Sequence, residues 1–252
     1  MRLISWNIRS GGGQRIATIA AQLKRWQPDI VALQEFRATP PSQQLAHSLA
    51  TFGLVHQLTT ANKAQRAANG LLLASRYSLN EIQHPQAPNE SLRWLLTAVS
   101  SPSPITIGVM HVPNRVTKRK YPFLDAVLKV AASWNDGPAL LVGDSNSGLN
   151  DLDTEGAPFS KQEEAWIHGL EKLGWGDAFR KLKGDERFYT WYSPNAGNGF
   201  RLDEAFLNAQ LMMQLHDIRY EWGVPEKGKD RRRHALSDHA AIILDLNELD
   251  PL

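Results

Sequence analysis

The tightest constraint in this sequence is a set of short apolar runs, each closed by an amide, a carboxylate or a histidine. Leu3-Ile4-Ser5-Trp6 leads into Asn7, Ile30 to Gln34 into Glu35, Ile107 to Met110 into His111, and Leu140 to Gly143 into Asp144, with Asn146 two residues on. Continuous apolar runs of this length suit strands covered on both faces. A polar residue at one strand exit is commonly just a loop residue. Several such exits gathered at one edge of a sandwich would bring their polar groups together.

Helical periodicity appears between the runs. Ile16, Ile19, Ala20 and Leu23 share a face before Pro28; Leu124, Val127, Leu128 and Ala131 share one within Tyr121 to Trp134; and Lys161 to Leu173 is amphipathic. Leu71 to Ser75, Leu92 to Val99, Ile105 to His111, Tyr189 to Tyr192, Arg201 to Leu207 and Ala240 to Leu246 read as further strands. Paired strands with helices in both halves predict two sheets packed face to face with helices outside, an α/β class, rather than a regular βαβ winding. With 252 residues and no repeat or long linker, one domain over 1–252 is expected. There is no cysteine, which excludes thiol nucleophiles, disulfides and thiolate metal sites. No apolar run reaches the roughly 20 residues of a membrane span, and Met1 to Ile8 reads as a strand, not a signal peptide. A cytoplasmic monomer without membrane or obligate protein partner is the expectation. The net charge of +2 names no partner by itself.

Asp144 and Asn146 would project to one side if the strand continued, an arrangement suited to activating water; Gly-Asp-Ser-Asn is equally a turn. Asp203 shares a strand face with Ala205 and Leu207, so its carboxylate needs a partner, either the histidine of Ser237-Asp238-His239 or Arg201. Glu35 and Asp238 are hard oxygen ligands of the kind Mg²⁺ or Mn²⁺ prefers, and magnesium needs few of them.

These residues fall within longer blocks: SWNI from Ser5, PDIVALQE ending at Glu35, NGLLLASR from Asn69, HVPN from His111 and LLVGDSN from Leu140. DAFR follows from Asp177, TWYS from Thr190, GFRLDEAFLN from Gly199 and LSDHAAI from Leu236. In this order they resemble the endonuclease/exonuclease/phosphatase superfamily, most of all its exodeoxyribonuclease III and apurinic endonuclease branch. The resemblance implies a four-layer α/β sandwich, two mixed β-sheets flanked by helices, with the site at one end of the sheets. It implies that Glu35 binds Mg²⁺ with Asn7 beside it and Asp238 nearby. It further implies that Asp144, supported by Asn146, activates the attacking water, that His239 oriented by Asp203 contacts the scissile phosphate, and that Asn114 holds a phosphate oxygen.

Three positions depart from that branch. Arg9 replaces an Asp or Asn and is read as a phosphate contact; His111 replaces a Tyr, and His is usual there in other branches such as the deoxyribonuclease I-like and phosphatase groups; Glu204 replaces an aromatic or His. Arg115, Lys118, Arg119 and Lys120 form one basic cluster, and Lys227, Lys229, Arg231, Arg232 and Arg233 another. Beside the site they would make a positive rim for DNA; otherwise they are solvated loops. Phe200 is the candidate substrate wall, whereas Trp191 is expected in the core. The leading expectation is a Mg²⁺-dependent phosphodiesterase cleaving DNA at abasic sites or 3′ ends. A phosphatase of small or lipid phosphates is the second, and a non-catalytic nucleic-acid-binding relic the third.

Overall fold

The structure, a computed structural model, describes residues 1–156, 158–223 and 235–247. Fourteen strands and six α-helices run in the order β1 (Arg2–Asn7), α1 (Ile16–Trp26), β2 (Ile30–Phe36), α2 (Pro40–Thr51), β3 (His56–Thr59), β4 (Gly70–Ser75), β5 (Leu79–Glu81), β6 (Trp94–Val99) and β7 (Ile105–His111) among the described residues. They continue with α3 (Lys120–Ser133), β8 (Ala139–Asp144), α4 (Lys161–Lys172), β9 (Trp175–Asp177), α5 (Ala178–Lys183), β10 (Trp191–Tyr192), β11 (Gly199–Phe200), β12 (Asp203–Asn208), α6 (Ala209–Met212), β13 (Leu215–Glu221) and β14 (Ala241–Leu246).

Two six-stranded sheets result, ordered β13-β14-β1-β2-β4-β3 and β5-β6-β7-β8-β12-β9, with β10 and β11 forming a separate ribbon. Each large sheet is antiparallel except for one central parallel pair, β1 with β2 and β7 with β8. Strand alternation sorts the side chains into three cores. Leu3, Ile30 and Ala32 from the first sheet meet Ile107, Val109, Leu140, Val142, Ala205 and Leu207 from the second between the sheets. Ile4, Val31 and Leu33 face outward onto Ile19 and Leu23 of α1 and Leu45 and Leu49 of α2. Leu96, Leu141 and Phe206 face the other way onto α3 and α4. The layering is therefore α/β/β/α, the four-layer sandwich expected.

Element boundaries shift by a residue or two from the sequence reading, and α2, β3, β5, β9, α5, β11, α6 and β13 are absent from it. Pro40 and Pro41 open α2 at positions where no backbone N–H is required, and only Ser42, Leu45 and Leu49 of it are buried, too few to announce a helix. Only Ile218 and Tyr220 are buried along β13, which pairs at a sheet edge.

Candidate active site

Three strands of the second sheet place three functional groups in one row. His111 at the end of β7 lies beside Asp144 at the end of β8, and Asp144 lies opposite Asp203 at the start of β12. Each continues the face that carries Val109, Val142 and Ala205, so all three side chains point between the sheets. Gly143 permits the approach. Its φ is 141°, and a Cβ there would collide with the Met110 carbonyl oxygen of β7.

The first sheet supplies the other half. Asn7 continues the face of Leu3 and donates from Nδ2 to Asp144 Oδ2 at 3.1 Å. Glu35 by alternation should face the helices, as Val31 and Leu33 do. Instead the pairing of β2 with β4 slips between Gln34 and Phe36, and Glu35 takes a left-handed φ of 59°. A bulge of this kind re-aims its side chain at a cost in backbone strain. Ser10 N donates to Glu35 Oε2 at 2.5 Å. The loop before β14 brings in Asp238 and His239, anchored by Trp6 Nε1 donating to the His239 carbonyl at 2.9 Å and Ser237 Oγ donating to the Asn7 carbonyl at 2.6 Å.

The buried His239 ring hydrogen-bonds through Nδ1 to Asp203 Oδ2 at 2.8 Å, and its Nε2 lies 3.9 Å from Asp144 Oδ2. Of the two partners weighed for Asp203, the structure chooses the histidine. Burial opposes an imidazolium here, but Asp203 and then Asp144 outweigh it and raise the His239 pKa to about 10. Burial pushes the Asp144 pKa up to about 7 despite His239 and the Asn7 hydrogen bond. His111, with Nε2 3.6 Å from Asp144, is driven well below its ordinary value by burial, Arg93 and His239. Asp144 therefore sits between a neutral imidazole and a charged one.

Asn146 does not share a face with Asp144. The strand ends, Asn146 takes a φ of 49°, and its N–H turns back to Asp144 Oδ1 at 3.1 Å. Its Nδ2 donates to the Val112 carbonyl at 2.8 Å, so the turn reading was correct for the backbone. A cleft of 410 Å³ opens over these groups, lined by Glu35, Arg93, His111, Asp144, Asp238 and His239 on its polar side. Asn114, Arg115 and Asn146 stand at its margin. Trp191, Phe200 and Phe159 form an apolar wall, with Phe200 5.9 Å from Trp191 and 5.7 Å from Phe159 between ring centroids. Trp191 is thus a wall residue beside the His239 ring and not a core residue as expected.

Arg9 is left out of this cleft. It lies in a shallower hollow with Gly12 and Arg15, and its Nε is 3.8 Å from Asp238 Oδ2. Lys120 is not part of an exposed rim either; it is buried against Glu163, while Arg115, Lys118 and Arg119 are exposed. The cluster at Lys227 to Arg233 lies outside the described residues. Glu204 acquires a place: it lies 3.4 Å from Arg201, a wholly buried cation also bound to Asp153 and Asp177. Arg93, missed in the sequence, donates from Nη1 to the His111 carbonyl at 3.3 Å and lines the cleft. Its position just before an apolar strand mirrors that of the polar residues just after one.

No group of three or more His, Cys, Asp or Glu forms a metal cage among the described residues. The donors on offer are the carboxylates of Glu35 and Asp238 and the carboxamide oxygen of Asn7. All are hard oxygens and few in number, which fits a Mg²⁺ or Mn²⁺ that retains water and does not fit zinc. No described helix is long and apolar enough to cross a membrane.

A 3′-5′ exonuclease (NExo) from Neisseria meningitidis shares this fold with a TM-score of 0.78 at 21% identity, over 98% of this chain and 100% of that one. An AP endonuclease from Archaeoglobus fulgidus superposes with a TM-score of 0.78 at 18% identity, over 98% and 99%. The Neisseria 3′ phosphatase NExo bound to a product DNA hairpin superposes at 0.77 with 22% identity, over 98% and 99%. No curated protein matches the chain in sequence. The family model for Endonuclease/Exonuclease/phosphatase matches residues 4–239, almost all of the residues that build the two sheets and every group in the cleft, and the chain belongs to that family.

Proposed function

We propose that this protein is a Mg²⁺-dependent phosphodiesterase that hydrolyses DNA, at abasic sites or at 3′ ends. The observation that carries the reading is the meeting of Glu35, Asn7, Asp144, Asp203 and His239 at one cleft from five separate segments. Asp144, with a pKa of about 7, is poised as the base that takes a proton from the attacking water. As water oxygen bonds to phosphorus and the P–O bond to the sugar breaks, charge spreads over the equatorial oxygens, and the leaving sugar oxygen takes up a proton from solvent to become a hydroxyl. The His239 imidazolium, held by Asp203, donates to those oxygens, and its charge is already in place before the reaction. Asn7 keeps Asp144 oriented. Glu35 and Asn7 would hold the metal with Asp238 nearby, and the bound ion supplies charge neutralisation at the phosphate. Arg93, Arg115 and Asn114 would receive flanking phosphate oxygens. The wall of Trp191, Phe200 and Phe159 is suited to pack against an unstacked sugar or base. The likeness to a 3′-5′ exonuclease, an AP endonuclease and a 3′ phosphatase bound to a product DNA hairpin supports the choice of substrate.

Incubation with Mg²⁺ and duplexes that are abasic or recessed at the 3′ end tests this. Cleavage that EDTA abolishes and Mg²⁺ or Mn²⁺ restores is expected; inertness toward all such DNA would sink it. His111 favours one second reading, hydrolysis of a small or lipid phosphate. Turnover of inositol phosphates or nucleotides well above that of DNA would select it.

A further inference from the structure

Lys120 and Glu163 form a buried ion pair on the rim of the cleft that the mechanism above does not use. Lys120 is 2% exposed and Glu163 1%. The Lys120 ammonium donates both to Glu163 Oε1 and to the backbone carbonyl of Asn146. Glu163 is itself fixed at the start of α4, where its Oε2 accepts from Ser160 N at 2.6 Å as half of a capping box. Lys120 is the first residue of α3. The pair thus ties the beginnings of two helices to a single peptide unit.

The residue that carries this carbonyl needs holding. Asn146 is a non-glycine residue in left-handed conformation, which costs energy and persists only where the surroundings impose it. Its N–H is the group that orients Asp144 Oδ1. If the Asn146 carbonyl lost its donor, the strained turn would relax and the Asp144 carboxylate would lose a hydrogen bond that fixes its direction. Val112 secures the Asn146 side chain but not its carbonyl. On the reading of the site given above, we infer that Lys120, charge-balanced by Glu163, is a positioning residue that locks the Asn146 turn and thereby aims Asp144 at the attacking water.

The inference separates from a merely structural role and from direct substrate contact. Lys120→Met should lower kcat by a factor of about ten or more with KM nearly unchanged, since a misdirected base harms the chemical step and not binding. Lys120→Arg, which can reach both acceptors, should retain most of kcat. Lys120→Met takes from Glu163 its buried counter-ion and leaves a largely stranded charge with only the half-exposed Arg115 at 3.6 Å, so the melting temperature should fall. The double variant Lys120→Met, Glu163→Gln removes that stranded charge and should recover the melting temperature while kcat stays low.

Recovery of kcat together with stability in the double variant would overturn the inference, as would a Lys120→Met enzyme with raised KM and normal kcat. Should the wild-type protein cleave no phosphate ester at all, the functional reading fails, and the positioning claim is then decided by NMR. Displaced Asn146 and Ser147 amide resonances in the double variant would support it, and unmoved ones would overturn it.

Discussion

Replacing Asp203 with asparagine removes one charge from the site and leaves its shape. The structure predicts what that charge is worth. In the fold the His239 pKa is about 10, against 6.5 for an ordinary histidine, although burial works in the opposite direction. At roughly 1.4 kcal/mol per pH unit, the difference corresponds to about 5 kcal/mol of preferential stabilisation of the imidazolium. Asp203 at 2.8 Å leads the groups that raise it, ahead of Asp144. A group whose pKa is raised on folding contributes stability that is complete below its unfolded pKa and fades as pH climbs through the folded one. For His239 that window runs from 6.5 to about 10. Metal-free wild type should therefore lose stability to urea between those limits, and Asp203→Asn should show a much flatter decline. An NMR titration of the His239 ring should find its pKa lowered toward the ordinary value, because burial is left less opposed. Near pH 7.5 the variant ring is largely uncharged, and kcat should fall on the order of a hundredfold or more. A variant with kcat within threefold of wild type and an undiminished alkaline decline would refute the claim that Asp203 sets the charge of His239.

Asp144→Asn should abolish most activity yet make metal-free protein more stable at pH 8. Burial lifts the Asp144 pKa from 3.8 to about 7, so its ionisation costs stability over that interval and the full cost is present above it; an unchanged or lower melting temperature at pH 8 would count against this. Arg201→Met removes the cation shared by Asp153 and Asp177 in a fully buried cluster, leaving Arg180 on Asp153 and Asp177 without an ion-pair partner among the described residues. It should destabilise by about 3–5 kcal/mol in urea unfolding, and a loss under about 1 kcal/mol would show that the cluster is dispensable. Arg115→Ala should weaken DNA binding regardless of sequence and make the dependence of log K on log salt shallower by about one; an unaltered slope would remove Arg115 from the phosphate contacts.

How much of this could be read from the chain depended on whether the information was local. Asn7, His111 and Asp144 announce themselves because each ends an apolar run. That His111, Asp144 and Asp203 form a single row depends on two strand registers, and no local pattern encodes a register. Glu35 was recognised as a ligand type, but its strand parity points it the wrong way; the bulge that corrects this has no glycine to mark it. The dependence of Arg201 on Asp153 and Asp177 joins three loop-proximal residues through space, so Glu204 looked anomalous until its neighbours were visible. Lys120 was grouped with its exposed basic neighbours because charge runs read as surface. Its burial follows from where α3 begins, against the start of α4.

On the proposed mechanism two hydrogen bonds matter most: Asn7 to Asp144, which crosses from one sheet to the other, and His239 to Asp203, which runs from the loop leading into β14 of the first sheet to β12 of the second. Among the described residues, no backbone ladder joins the large sheets to each other. Their alignment is kept by interdigitated aliphatic side chains such as Leu3, Ile107, Val142 and Ile242. The proposed base is therefore mounted on one sheet and the proposed phosphate donor on the loop feeding the other, and a shear of about 1 Å between them can cost on the order of a hundredfold in rate. On that mechanism, methyl groups far from the cleft are the alignment pins of the reacting groups.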